Sequence, residues 1–188
     1  MLRSLVLFVH IASSMGLFAA LGIEGASLLQ LRRASEPARL EAALSGYRWV
    51  RPVGGAGMMG TILSGAYLAS TAWGWRTAWI DVALGGVVLL AVMGGTMTGL
   101  RIARLQKGVR DGTVGLPGLP ARDPVLWLSF RTRVAILIGI LFLMATKPGW
   151  QGSFVAMAVA VAAGLLASLA DFQGRGAPVT SEGKGAAR

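Results

Sequence analysis

Charged residues interrupt the most apolar part of this sequence, and charge at membrane depth is usually tied to a pathway or a partner. The stretch SFRTRVAILIGILFLMATKPG, residues 129–149, has Arg131 and Arg133 before an apolar run and Lys147 after it. The charge-free part, 134–146, covers roughly 20 Å as a helix. The hydrocarbon core of a bilayer is about 30 Å thick. If this segment spans a membrane, the arginines either lie within it or reach out of it.

A carboxylate lies at a matching depth in another apolar stretch. Glu24 is near the end of the first such stretch, 4–31, so it could pair with Arg131 or Arg133 and hold the short apolar run in register. Alternatively, each side chain reaches independently to the lipid headgroups. A substrate-binding role for these charges is a third reading.

The one histidine of the chain, His10, shares a helix face with this carboxylate. Their spacing leaves His10 and Glu24 within about 40° of each other around a helix. Asp81, in the first turn of a later apolar segment, is expected on the same outer side as His10 and could accept a hydrogen bond from the imidazole. Such a constellation could relay protons or bind a cation. The alternative is a histidine bonded to a neighbouring carbonyl or water.

Metal and cofactor chemistry have few candidate ligands. The chain has no cysteine, which excludes thiolate sites and disulfides. Met93 and Met97 lie four apart and could form a soft Cu(I) site with His10, although methionine is also ordinary core filling. A b-type haem would need a second axial ligand that only a methionine could supply. We therefore expect no cofactor, and the sequence leaves metal binding open.

Composition indicates a polytopic membrane protein. Of 188 residues, 54% are hydrophobic and only 14% charged, against about 25% charged in soluble domains. The net charge of +10 does not indicate nucleic-acid binding, because the basic residues lie in short loops and suit anionic lipid headgroups. We find no P-loop, Rossmann fingerprint or Ser-His-Asp spacing, so we expect no enzyme.

The apolar runs predict an all-α bundle of five transmembrane helices within residues 1–172, followed by a disordered cytoplasmic tail at 173–188. The expected spans are 4–31, 53–72, 79–104, 124–146 and 151–171. The first span resembles a signal peptide but is too long for one, so we expect it to stay uncleaved. Asp123 and Pro124 are a good N-cap and first-turn pair, so the fourth span is expected to begin there.

The distribution of lysine and arginine predicts the orientation. Of 18 such residues, all but Arg3, Arg76 and Lys147 fall on one side of a five-span arrangement. That side is expected to be cytoplasmic, which places the N-terminus outside and the C-terminus in the cytoplasm.

Rows of small residues at four-residue spacing run along several spans, including Ala156, Ala160, Gly164 and Ser168 in the last. Such rows allow close approach of helices in lipid. They fit packing within the bundle, or an interface in a homo-oligomer or a larger membrane complex.

Two stretches carry a family resemblance. They are FVHIASSMGLFAALGIEGASLLQLRRA, residues 8–34, with an early histidine and a basic end, and RTRVAILIGILFLMATKPG, residues 131–149. Together they resemble a group of small, uncharacterised bacterial inner-membrane proteins that is loosely similar to the copper-resistance D-type membrane family. The resemblance implies a multi-pass protein of the bacterial inner membrane.

Two functions follow from the sequence. The first is transport or handling of a small solute or cation through a polar bundle interior that carries His10, Glu24 and Asp81. The alternative is a non-catalytic accessory subunit of a larger membrane complex. A transporter needs His10 and Glu24 on a wet cavity, whereas a subunit can leave its interior dry.

Overall fold

A computed structural model describes residues 1–34, 36–113 and 123–173, and these residues form helices joined by short connections without any strand. The α-helices are α1 (Leu2–Arg33), α2 (Pro37–Tyr47), α3 (Val50–Leu68), α4 (Ala78–Val92), α5 (Leu100–Arg110), α6 (Pro124–Thr146) and α7 (Trp150–Gln173). A π-helical segment, Ala69–Trp73, extends α3, and a second, Met93–Gly99, joins α4 to α5. The expected disordered tail falls, from residue 174 onward, outside the described residues.

Four helical stretches of the described residues are long and apolar enough to cross a membrane, one of them made of α4, the π-helical segment and α5 together. They are Leu2–Arg33, Ala78–Arg110, Pro124–Thr146 and Trp150–Leu169. They match four of the five expected spans, so the chain is a multi-pass, all-α membrane protein by helix length and composition. The remaining expected span, 53–72, is helical within α3 and its π extension but is not among the four.

The start of α6 is where the sequence predicted it. Asp123 is the N-cap, and its carboxylate accepts a hydrogen bond from the backbone N–H of Val125 at 2.9 Å. The same carboxylate forms an ion pair with Arg101, which ties the start of α6 to α5. The other end of α6 closes at Lys147, which has a left-handed backbone with φ of 48°.

The helices of the bundle form two groups, α1 with α2 and α3, and α4 with α6 and α7. The closest packing is between α1 and α3 and between α6 and α7, and α4 packs on α6. One apolar cluster lies between α4 and α6 and includes Val87, Ile136 and Leu143. A second cluster lies where α1, α2, α5 and α6 meet and includes Leu31, Ile102 and Leu126.

The small-residue rows of α3 and α7 face other helices of the same chain. A Cβ atom on Gly57 would lie 2.9 Å from the backbone oxygen of Ser13, so α3 approaches the backbone of α1 directly. A Cβ atom on Gly164 would lie 2.6 Å from Cα of Thr132, which brings α7 equally close to α6. These rows are therefore used for packing within the bundle, including the row on the last span.

Each end of the bundle has a cluster of aromatic and basic side chains. At one end the rings of Trp73 and Trp79 meet edge to face at 5.5 Å, and the amine of Lys147 lies 4.3 Å from the Trp73 ring. At the other end Arg32 and Arg131 lie over the ring of Trp127, at 5.8 and 5.7 Å. Lys147 thus lies at the opposite end of the bundle from Arg32 and Arg131, as the distribution of lysine and arginine predicted.

The close contact of α3 with α1 predicts a strong difference between two neighbouring glycines. Gly57→Ala should lower the stability of the fold by about 1–3 kcal/mol, because its methyl group would overlap backbone atoms of α1. Gly55→Ala is the matched control, because nothing lies within 4 Å of a Cβ atom there. Thermal unfolding in detergent measures both variants. Equal melting temperatures for the two would contradict this packing.

Candidate functional site

A buried ion pair joins α1 to α6. Nη1 of Arg133 donates a hydrogen bond to Oε2 of Glu24 at 3.0 Å, and Nη2 donates to Oε1. The pair is bidentate and almost without solvent contact, since Glu24 is 1% exposed and Arg133 is 7% exposed. Of the arrangements that the sequence allowed for Glu24, the structure has the pair, and the partner is Arg133.

Hydroxyl and carbonyl groups complete the coordination of the guanidinium. Nη2 of Arg133 also donates to Oγ1 of Thr98 at 3.0 Å, and Nε donates to the backbone oxygen of Ser129 at 3.3 Å. Thr98 donates in turn to Oγ of Ser129, whose hydroxyl lies 3.4 Å from the backbone oxygen of Met93. Thr98 and Ser129 are fully buried. A buried charge pair is tolerated only when its remaining donors are satisfied in this way.

Local backbone features make room for this network. A Cβ atom on Gly25 would lie 2.7 Å from the ring of Phe130, so the glycine lets α1 approach α6 next to Glu24. A Cβ atom on Gly94 would lie 3.3 Å from Nη1 of Arg133, so the guanidinium lies against the π-helical segment. The same segment supplies both Thr98 and the carbonyl of Met93. Isolated π turns in helices are often found at functional sites.

Sequence reasoning did not single out Thr98 and Ser129. The available signal was that each is a polar residue within an apolar span, at about the depth of Glu24 and Arg133. Hydroxyl residues are common in membrane helices, however, because they can bond to their own backbone. The signal was therefore too unspecific to select these two.

Tyr47, at the end of α2, is electrostatically coupled to the pair. Burial raises the pKa of its phenol above the ordinary value of 10.0, and the charge of Glu24 raises this pKa further, while Arg133 opposes the shift. The folded state therefore holds the phenol proton more tightly than the unfolded state. This tighter proton binding by Tyr47 stabilises the folded state below about pH 10, and the stabilisation is lost as the pH rises above that value.

His10 lies in a polar seam between α1 and α3. Its Nδ1 is 3.1 Å from the backbone oxygen of Thr61 and 3.1 Å from Oγ of Ser64. A carbonyl only accepts, so Nδ1 carries the proton in the bond to Thr61. A Cβ atom on Gly65 would lie 3.0 Å from the imidazole, so the ring packs closely against the backbone of α3.

The structure does not bring His10, Glu24 and Asp81 into one constellation. The imidazole bonds to α3, Glu24 bonds to α6, and Asp81 lies half-buried in the first turn of α4. No hydrogen bond among the described residues joins Asp81 to either of the others. The arrangement matches the alternative in which the histidine bonds to a neighbouring carbonyl.

Arg131 points to a different part of the bundle from Arg133. Its Nη1 donates to the backbone oxygen of Ala167 on α7, and its guanidinium lies over Trp127. The two arginines therefore have separate roles. Arg133 neutralises Glu24, and Arg131 joins α6 to α7 near the end of the bundle.

The candidate metal ligands belong to different elements, His10 to α1 and the two methionines to the π-helical segment. Met93 and Met97 lie half-buried in the π-helical segment, and Met93 packs against the apolar cluster of α4 and α6. His10 lies in the seam with α3. The part of the chain that the structure describes holds no group of three or more His, Cys, Asp and Glu side chains suited to a metal ion.

Comparison with protein-family models, with curated proteins and with solved structures gave no match to this chain. A fully paired carboxylate and guanidinium, surrounded by buried hydroxyl groups, can fix the relative position of two helices. In this structure the two groups are shielded from water and neutralise each other's charge.

The ion pair predicts that removing one charge costs much more than removing both. Glu24→Gln leaves Arg133 buried without its counter-charge and should lower the free energy of unfolding by about 3–5 kcal/mol. Glu24→Gln combined with Arg133→Gln should cost less than Glu24→Gln alone. The readout is thermal unfolding in detergent.

Glu41→Gln provides the control, because Glu41 is exposed on α2 and takes part in no ion pair among the described residues. Unchanged melting of the Glu24→Gln protein would contradict a structural role for the pair. A loss in the double variant as large as or larger than that of Glu24→Gln alone would contradict coupling between the two charges.

Proposed function

We propose that this chain is a non-catalytic accessory subunit of a larger complex in a bacterial inner membrane. The observation that carries the proposal is the closure of its polar interior. Glu24 and Arg133 are buried, bidentate and bonded to each other and to hydroxyl and carbonyl groups. A transport pathway needs intramembrane polar groups that meet water or solute, and this pair is turned away from both.

The outer half of α1 gives further support. Its side chains Leu5, Phe8 and Met15 are 60%, 67% and 66% exposed, and this half packs against α3. In lipid alone, one side of this half-helix contacts α3 and the other only acyl chains. A helix of a partner protein would give the exposed side a defined contact, as expected of a subunit. The assignment to a bacterial inner membrane rests on the resemblance of residues 8–34 and 131–149 to proteins of that membrane.

Transport or handling of a small solute or cation is the second candidate, and one observation favours it. Nδ1 of His10 bonds to Thr61, whereas Nε2 makes no hydrogen bond to the described residues. A half-buried imidazole with an available nitrogen is able to take a proton or a cation. If Glu24 were part of the same pathway, it would have to release Arg133 during each cycle, which would break the buried ion pair between α1 and α6.

For either function we propose five spans, with 53–72 as the second, the N-terminus outside and the C-terminus in the cytoplasm. The distribution of Lys and Arg supports this orientation. The contact of Trp73 with both Trp79 and Lys147 supports placing the end of the second span beside the start of the third and the end of the fourth.

Cysteine labelling tests this topology directly, because the natural chain contains no cysteine that would react. Trp75→Cys and Ser45→Cys introduce single thiols at exposed positions on either side of the helix α3. A membrane-impermeant maleimide should label position 75 in intact spheroplasts and should label position 45 only after lysis. Labelling of both positions from the same side would show that 53–72 does not span.

Native mass spectrometry distinguishes the two functions. We expect an affinity-tagged chain, extracted from its own membrane in mild detergent, to carry a stoichiometric second protein. The Glu24→Gln/Arg133→Gln variant should retain this partner if it folds, because the pair lies inside the chain. A monomer or homo-oligomer with a small bound mass would instead support transport and would contradict the subunit proposal.

A further inference from the structure

An open groove with two arginines lies where α1 ends and α2 begins. It is lined by Gln30 and Arg33 of α1 and by Arg39 and Ala42 of α2, with a volume of about 260 Å³. One water molecule takes up about 30 Å³ in the liquid. The groove therefore has room for a phosphate group with its nearest waters.

Neither arginine of the groove forms an ion pair within the part of the chain that the structure describes. Arg33 and Arg39 are exposed, and neither takes part in an ion pair or hydrogen bond with those residues. Arg39 also lies in the first turn of α2, where the helix dipole adds positive potential. Arginine suits phosphate because its planar guanidinium presents paired N–H donors to two oxygens.

An exposed face of α1 continues from the groove toward the middle of the membrane span. Gly22, Ala26, Leu29 and Arg33 follow one another at spacings of three and four residues, so they share one face of the helix. All four are exposed, and nothing lies within 4 Å of a Cβ atom at Gly22. This open, uncharged surface lies on the side of Arg33 toward the middle of the span. With Leu29 46% exposed, it suits contact with an acyl chain.

We propose that this groove binds the phosphate of an anionic phospholipid, with one of its acyl chains along the exposed face of α1. Basic pockets beside membrane helices bind anionic headgroups by this combination of charge and apolar contact. The groove lies on the side of the bundle with most basic residues, which is the cytoplasmic leaflet in the proposed topology. Such a lipid would bind in the same way to a subunit or to a transporter.

Native mass spectrometry of the full chain, titrated with phosphatidylglycerol or with phosphatidylcholine of the same acyl chains, tests the proposal. We expect selective binding of phosphatidylglycerol. Arg33→Gln/Arg39→Gln should weaken that binding by at least about tenfold, because two charge-assisted contacts to phosphate are lost. The matched control is Arg48→Gln/Arg51→Gln, which removes the same charge from exposed positions on the same side.

Three results would overturn the proposal. One is equal binding of the two lipids to the unmodified chain, which needs no variant to fold. Another is an equal loss of phosphatidylglycerol binding in both double variants, which would indicate general attraction to the basic surface. The third is full displacement of phosphatidylglycerol by equimolar inorganic phosphate, which would show that the groove takes free phosphate and that the acyl chain adds nothing.

Discussion

The rest of the bundle depends on the requirement that Glu24 and Arg133 remain paired. Either charge alone in this environment would cost several kcal/mol through loss of solvation. The pair fixes the depth of α1 relative to α6, and Gly25 permits the approach that the pair requires. Through the hydrogen bond to Thr98 it also contacts the π-helical segment between α4 and α5. One electrostatic constraint thus joins three stretches of the chain.

The sequence predicted much of this arrangement because depth in a membrane can be counted from residue numbers. Glu24 and the arginines of the fourth span were expected at one level, and the N-cap at Asp123 was expected from its chemistry. The choice between Arg131 and Arg133 could not be made in this way. The two positions differ by about 200° around a helix, and only the neighbours of α6 decide which one faces α1.

The hydropathy of a sequence does not show which helices pack against each other. The expectation that Asp81 would accept from His10 required α4 to lie beside the outer half of α1, where α3 lies instead. The contact between α3 and α1 explains why the expected span 53–72 is less apolar than the other spans. Its glycines and hydroxyl residues, such as Gly57 and Ser64, face α1 at close range. Apolar bulk on this face would separate the helices.

The π-helical segment Met93–Gly99 has a consequence for how the chain can change in length. Each π turn takes in an extra residue compared with an α turn, so this segment sets the rotation of α5 relative to α4. Removing one residue there would let the helix rewind and turn α5 by about 100°. Ile102 and Leu105 would then leave the cluster that they form with α1 and α2. Single-residue deletions should be far less tolerated in this stretch than in the connection between α2 and α3.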